Sequence, residues 1–142
     1  MVAELKIHSV IESLLDTGMP SGEPEISITT HRANIRRDGE ILHLNYKQTE
    51  EDSDVLCHII ATPDGRISLS RRGAIVSDIL FCEGEECHTV YSIPPYRFDM
   101  TVRTERVEAE LSDPISIKIN YTMNVGGEVR RTRLSMTVGK RL

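Results

Sequence analysis

The chain has 142 residues, 39% of them hydrophobic and 27% charged, which suits one globular domain spanning residues 1–142 rather than a disordered segment. Aromatic residues are only 4%, there is no Trp, and the formal charge is -5. That combination excludes a stacking platform for single strands and argues against nucleic acid in general, whose phosphates call for a basic surface.

Period-2 alternation of apolar and polar residues runs through the chain and predicts strands throughout. Leu5, Ile7 and Ile11 mark a first strand, and a turn-rich loop follows through Thr17-Gly18-Met19-Pro20-Ser21-Gly22. Ile26, Ile28 and Thr30 alternate with Ser27 and Thr29 in a second strand that runs on to Ile35 and Arg37. Asp38-Gly39 signals a tight hairpin, because both central residues of a type I′ turn need positive φ. Leu42, Leu44 and Tyr46 share one face of the next strand, and the acidic run from Gln48 to Asp54 reads as a solvated loop. Val55 to Ala61 shows little alternation, which predicts burial on both faces or a barrel wall.

Pro63-Asp64-Gly65 turns the chain into Ile67 and Leu69, ending at Arg71-Arg72-Gly73. Ile75 to Phe81 and Cys87 to Ile93 flank a tip at Glu83-Gly84-Glu85-Glu86, which sets Cys82 and Cys87 near one another across a hairpin. Pro94-Pro95 breaks the ladder, since neither can donate a backbone hydrogen bond. Phe98, Met100 and Val102 share a face, Val107, Ala109 and Leu111 continue the alternation, and Asp113-Pro114 turns the chain. Ile115, Ile117, Ile119, Tyr121 and Met123 form the cleanest apolar face. Asn124-Val125-Gly126-Gly127 leads into Val129 and a last strand through Leu134, Met136 and Val138. Nine or ten short strands with short turns predict an all-β fold, a closed antiparallel up-and-down barrel, because closure removes the exposed edges of so long a meander.

Four segments resemble the YwiB-like family of uncharacterised bacterial proteins: Leu69-Ser70-Arg71-Arg72-Gly73-Ala74-Ile75, Tyr91-Ser92-Ile93-Pro94, Met100-Thr101-Val102-Arg103-Thr104 and Ile119-Asn120-Tyr121-Thr122-Met123-Asn124. The likeness covers about Ile41 to the C-terminus. Pro95-Tyr96-Arg97 stands where that family tends to have a turn glycine, and Arg72 where a serine is common. The resemblance implies a calycin-type barrel with a lipocalin-like interior and implies no activity.

Within such a barrel, four residues are ligand-binding candidates: Arg71, Tyr91, Thr104 and His58. Arg71 and Arg72 point to opposite faces of one strand, so one of them can enter the barrel. An inward guanidinium is costly unless paired, which makes it an anchor for a carboxylate or phosphate; an internal salt bridge is the plainer alternative. Tyr91 and Thr104 offer hydroxyls, and His58 lies between Leu56 and Ile60, where a satisfied core histidine is the plainer reading. Cys82, Cys87 and His88 sit together in sequence, yet Cys87 and His88 face opposite ways on a strand, so no metal ligand is assigned. The three cysteines read as free thiols. The basic residues Arg130, Arg131, Arg133, Lys140 and Arg141 read as a solvent-facing edge or a patch for an acidic partner.

No nucleophile motif, phosphate loop or carboxylate pair stands out, so no catalytic residue and no cofactor is assigned, and an enzyme is not expected. No segment approaches the roughly 18 apolar residues of a membrane span. The N-terminal stretch Met-Val-Ala-Glu-Leu-Lys-Ile-His-Ser-Val lacks a secretory apolar core, so a cytoplasmic protein without a membrane partner is expected. The expected function is binding of a small apolar or anionic molecule inside the barrel; the alternative is an interaction or structural module with a filled core. Nothing in the sequence specifies an oligomeric state.

Overall fold

The computed structural model describes residues 1–50 and 53–142. Its elements are all strands: β1 (Val2–Ser13), β2 (Glu25–Asp38), β3 (Ile41–Glu50), β4 (Ser53–Ala61), β5 (Ile67–Gly73), β6 (Ser77–Phe81), β7 (Glu86–Ile93), β8 (Tyr96–Glu110), β9 (Ser116–Val125) and β10 (Glu128–Arg141). Except for β6 and β7, each strand pairs antiparallel with its neighbours in sequence, and β1 pairs with β10, giving the order β6-β5-β4-β3-β2-β1-β10-β9-β8-β7. The ring closes at one point. Val76 and Ser92 exchange two backbone hydrogen bonds of 2.8 and 2.9 Å between β6 and β7, while the rest of that seam is unpaired. This is a nearly closed ten-stranded antiparallel barrel, consistent with a calycin-like fold. No helix among the described residues is long and apolar enough to cross a membrane.

In an up-and-down barrel, the turns after odd-numbered strands gather at one end and the others at the opposite end. The second end is solid. Leu5, Ala33, Ile35, Leu42, Leu44, Ile67, Phe81, Val102, Ile115 and Ile117 are all buried and form one apolar cluster there. Toward the first end burial falls away, and Leu15, Met19, Ile93, Tyr96 and Phe98 are exposed around the rim.

Several strands differ from their sequence reading. The expected loop from Gln48 to Asp54 is mostly ladder, for β3 reaches Glu50 and β4 starts at Ser53, with Glu50 opposite Ser53; Glu51 and Asp52 lie outside the described residues. Polar residues are tolerated there because both faces of the hairpin meet solvent, and Thr49 Oγ1 donates to Asp54 at 2.9 Å. Of the two readings of β4, the structure shows the barrel wall, not burial on both faces. Val55, Cys57, Ile59 and Ala61 point inward while Leu56 is 60% exposed, as period 2 requires on a barrel wall with water outside. The segment from Ile75 begins its strand only at Ser77.

β8 carries a bulge between Thr104 and Arg106, where its register against β9 shifts. One extra residue moves the inward set from even numbers (Met100, Val102, Thr104) to odd ones, with Val107 opposite Ile119 and Ala109 opposite Ile117. Gly73 ends β5 with φ +128°, and a Cβ built there would lie 2.3 Å from the Asp54 carbonyl oxygen. The turn after Arg71-Arg72 therefore needs glycine. Cys82 and Cys87 do not face each other. A turn bond from Glu85 N–H to the Cys82 carbonyl (3.0 Å) closes the tip, bonds between Gly84, Glu85 and Thr104 tie it to β8, and Cys87 pairs with Val102. All three cysteines are free.

Candidate functional site

Arg71 stands at the centre of the open half. It follows Ile67 and Leu69 on the inward face of β5, so strand parity alone sends it into the barrel. Arg72, on the outer face, forks onto both carboxylate oxygens of Asp78 at 3.0 Å and is thereby accounted for. Arg71 has no such partner. Among the described residues it makes no ion pair, and its buried Nε has no hydrogen-bond acceptor.

Two lobes meet at Arg71 and Tyr121. The first, about 520 Å³, is mainly apolar and lies between β6 and β10. Ile79, Tyr91, Phe98, Met100 and Met123 line it, with Glu128 and Arg130 at its rim. The second, about 270 Å³, lies between β1–β5 and β9–β10. Its floor is apolar, including Ile59, Leu69 and Met136, and its mouth is polar, with Ser27, Thr29, His31 and Gln48.

The neighbours of Arg71 are weak acids that stay neutral. Burial pushes the Tyr46 phenol well above its ordinary value, the Cys57 thiol beside it adds to the rise, and Arg71 opposes it. Burial likewise raises Cys57, against the pull of Arg71 and a hydrogen bond with Tyr46. Tyr121 is raised by burial and lowered by Arg71 and by its bond to Thr132. None of these groups supplies a negative charge near neutral pH, so the guanidinium is surrounded by neutral hydroxyl and thiol groups. The site can hold an anion, with hydroxyls alongside to donate hydrogen bonds to it.

The four sequence candidates separate. Arg71 and Tyr91 line the same lobe. Thr104 is fully buried opposite Tyr121 in the β8–β9 ladder, lines neither lobe, and leaves its Oγ1 without a partner. His58 is on the outer face, not inside. It lies between the inward residues Cys57 and Ile59, and its Nε2 is 3.0 Å from His43 Nδ1 on the neighbouring strand. Burial, then His43 and Arg36, hold His58 below its ordinary value.

The C-terminal basic group also divides by parity. Arg131 and Arg133 are outside, 2.9 and 3.7 Å from Glu12, while Arg130 lines the apolar lobe and reaches Glu128 at 3.4 Å. Tyr46, Tyr121 and Arg130 are interior groups absent from the four ligand-binding candidates, although sequence placed Tyr46 and Tyr121 on apolar strand faces. The signal was present, because each shares parity with inward apolar neighbours: Leu42 and Leu44, Ile117 and Ile119, and Leu134 and Met136.

The fold and this cavity define a class: an antiparallel barrel filled at one end and open at the other, with a cationic group midway down. The family model for "Domain of unknown function (DUF1934)" matches residues 20–136, and the chain belongs to that family. It is similar in structure to the YwiB protein from Bacillus subtilis, with a TM-score of 0.73 and 17% sequence identity over 98% of this chain and 94% of that one. That likeness supports the fold. No curated protein matches the chain.

Proposed function

We propose that this protein is a binding barrel for a small amphiphilic anion. The carboxylate, sulfonate or phosphate end sits against Arg71, with the Tyr46 and Tyr121 hydroxyls beside it. The apolar body lies in the lobe of Ile79, Tyr91, Phe98, Met100 and Met123. The observation that carries this reading is the inward Arg71, whose buried Nε lacks any partner among the described residues. An uncompensated guanidinium held away from water costs several kcal/mol, so such an arrangement is stable only when an anion completes it or water reaches it. A filled-core module fits less well, because only one end of the barrel is packed.

Native mass spectrometry of freshly purified protein, set against the same sample denatured, tests for a retained ligand. Anilinonaphthalene sulfonate, an anionic aromatic fluorophore, serves as the probe for titration. Binding weakened about tenfold or more by Arg71→Met and little changed by Arg72→Met supports the proposal; tenfold corresponds to about 1.4 kcal/mol. A bare polypeptide mass together with probe binding indifferent to Arg71→Met would refute it.

A further inference from the structure

The barrel wall has a second defect, away from the ligand cavity's centre. Among the described residues the ladder between β2 and β3 stops at Ala33 opposite Tyr46, and the ladder of Glu25 to Arg32 is with β1 alone. The free edge is identifiable atom by atom. Ile35 N–H donates to the Met1 carbonyl at 2.7 Å on the β1 side, and the β1–β2 ladder has no register shift. Antiparallel alternation then turns the odd-numbered backbone groups toward β1 and leaves the N–H and C=O of Ile26, Ile28, Thr30 and Arg32 pointing away from it.

Natural sheets blunt such an edge with lysine, proline or a bulge. Here the run Ile26-Ser27-Ile28-Thr29-Thr30 has none of these, is rich in β-branched residues, and carries no charge. Its isoleucines are 62% and 60% exposed. A strand of this composition with a free ladder is a template for another strand.

We infer that this edge pairs with the same edge of a second copy of the chain, antiparallel about a two-fold axis at Ile28. The edge is self-complementary in that register. Free backbone groups meet free backbone groups, with Ile28 opposite the partner's Ile28 and Ile26 opposite the partner's Thr30. On the inner face, Glu25 comes opposite the partner's His31, an acid against a base. His31 already bonds Thr29 through Nε2 at 2.9 Å, which leaves Nδ1 for that contact. Sliding two residues either way loses the Glu25–His31 pair, setting Glu25 against the partner's Ala33 or the partner's Thr29. The isologous contact uses main chain, the outer side chains and the inner-face Glu25–His31 pair at the mouth of the second lobe, and involves none of Arg71, Tyr46 and Tyr121.

Sedimentation velocity on the full chain from about 1 to 200 μM, a range that spans micromolar dissociation constants, tests this. The expected result is a concentration-dependent dimer. Ile28→Lys sets like charges face to face at the axis and weakens it by roughly tenfold or more. Ile28→Pro deletes an edge-facing N–H without removing a β1 bond and has the same effect. Circular dichroism melts report whether each variant is folded; since Ile28 is exposed in the single chain, Ile28→Lys remains informative if the proline variant does not fold. Leu80→Lys, at an exposed residue on β6, leaves the dimer intact. A wild-type monomer over the whole range overturns the inference, as does a dimer indifferent to Ile28→Lys.

Discussion

The two ends of this barrel are built from the same strands, and they differ in what the inward side chains do. At the filled end, Leu5, Leu42, Leu44, Ile117 and Ile119 are fully excluded from water, and at its boundary with the open half Phe81 packs on Tyr121 with ring centroids 4.8 Å apart. At the open end, inward residues are longer or polar (Arg71, Gln48, Thr29, Arg130), and they leave two lobes between them. The difference is one of side-chain volume and of polarity on equivalent lattice positions. Packing contributes stability at one end; at the other an unsatisfied charge costs stability and, in the proposed function, supplies the affinity for an anion.

The comparison yields graded expectations. The largest effect belongs to the filled end, where Leu44→Ala removes a wholly buried side chain and costs about 2–5 kcal/mol, measured as a lower urea midpoint. The matching truncation at the open end, Phe98→Ala at a residue 41% exposed, costs much less. Equal losses at both positions would mean that the two ends are not distinct.

Gly73→Ala comes next. Its Cβ would meet backbone, not a movable side chain, and its φ is one that alanine rarely adopts, so a loss of about 1–3 kcal/mol is expected in the same assay. Arg71→Met reverses the usual sign. Removing a half-buried charge with no partner leaves the apo protein as stable or more stable, while binding of the sulfonate probe falls. If that variant instead melts lower, Arg71 is a structural residue and the open end is a packed one.

The smallest effect is in pH. Burial, His43 and Arg36 hold the folded His58 below its ordinary value of 6.5. Between the folded value and 6.5 the unfolded chain binds more protons, so this group makes stability rise with pH through that window and level off above it. His58→Gln flattens the low-pH decline. An unchanged profile would show that the His43–His58 contact does not influence folding.

Much of this was legible without coordinates. Ile115 to Met123 announces both its strand and its inward face, and Asp38-Gly39 announces its turn. Leu69 assigns Arg71 to the interior by parity. The sequence reading faltered where two residues of like polarity broke the alternation. Leu56 on the outer wall left β4 open between a strand buried on both faces and a barrel wall, and the polar tip of the β3–β4 hairpin looked like a loop although its bonds are ladder bonds. His58 was misplaced by the same reasoning, since its apolar neighbours Leu56 and Ile60 share the outer face with it.

Strand identity, most turn positions and, outside the β3–β4 hairpin and the β8 bulge, the inward or outward sense of a residue are local properties, written in a period of two, and the sequence by itself determined them. Which end of the barrel stays open, that Arg71 meets Tyr46, Cys57 and Tyr121 instead of a carboxylate, and that β2 keeps a free edge were decided only by the tertiary structure. Those features depend on where each strand's pairing stops and on what stands across the barrel, and neither is encoded within a single strand.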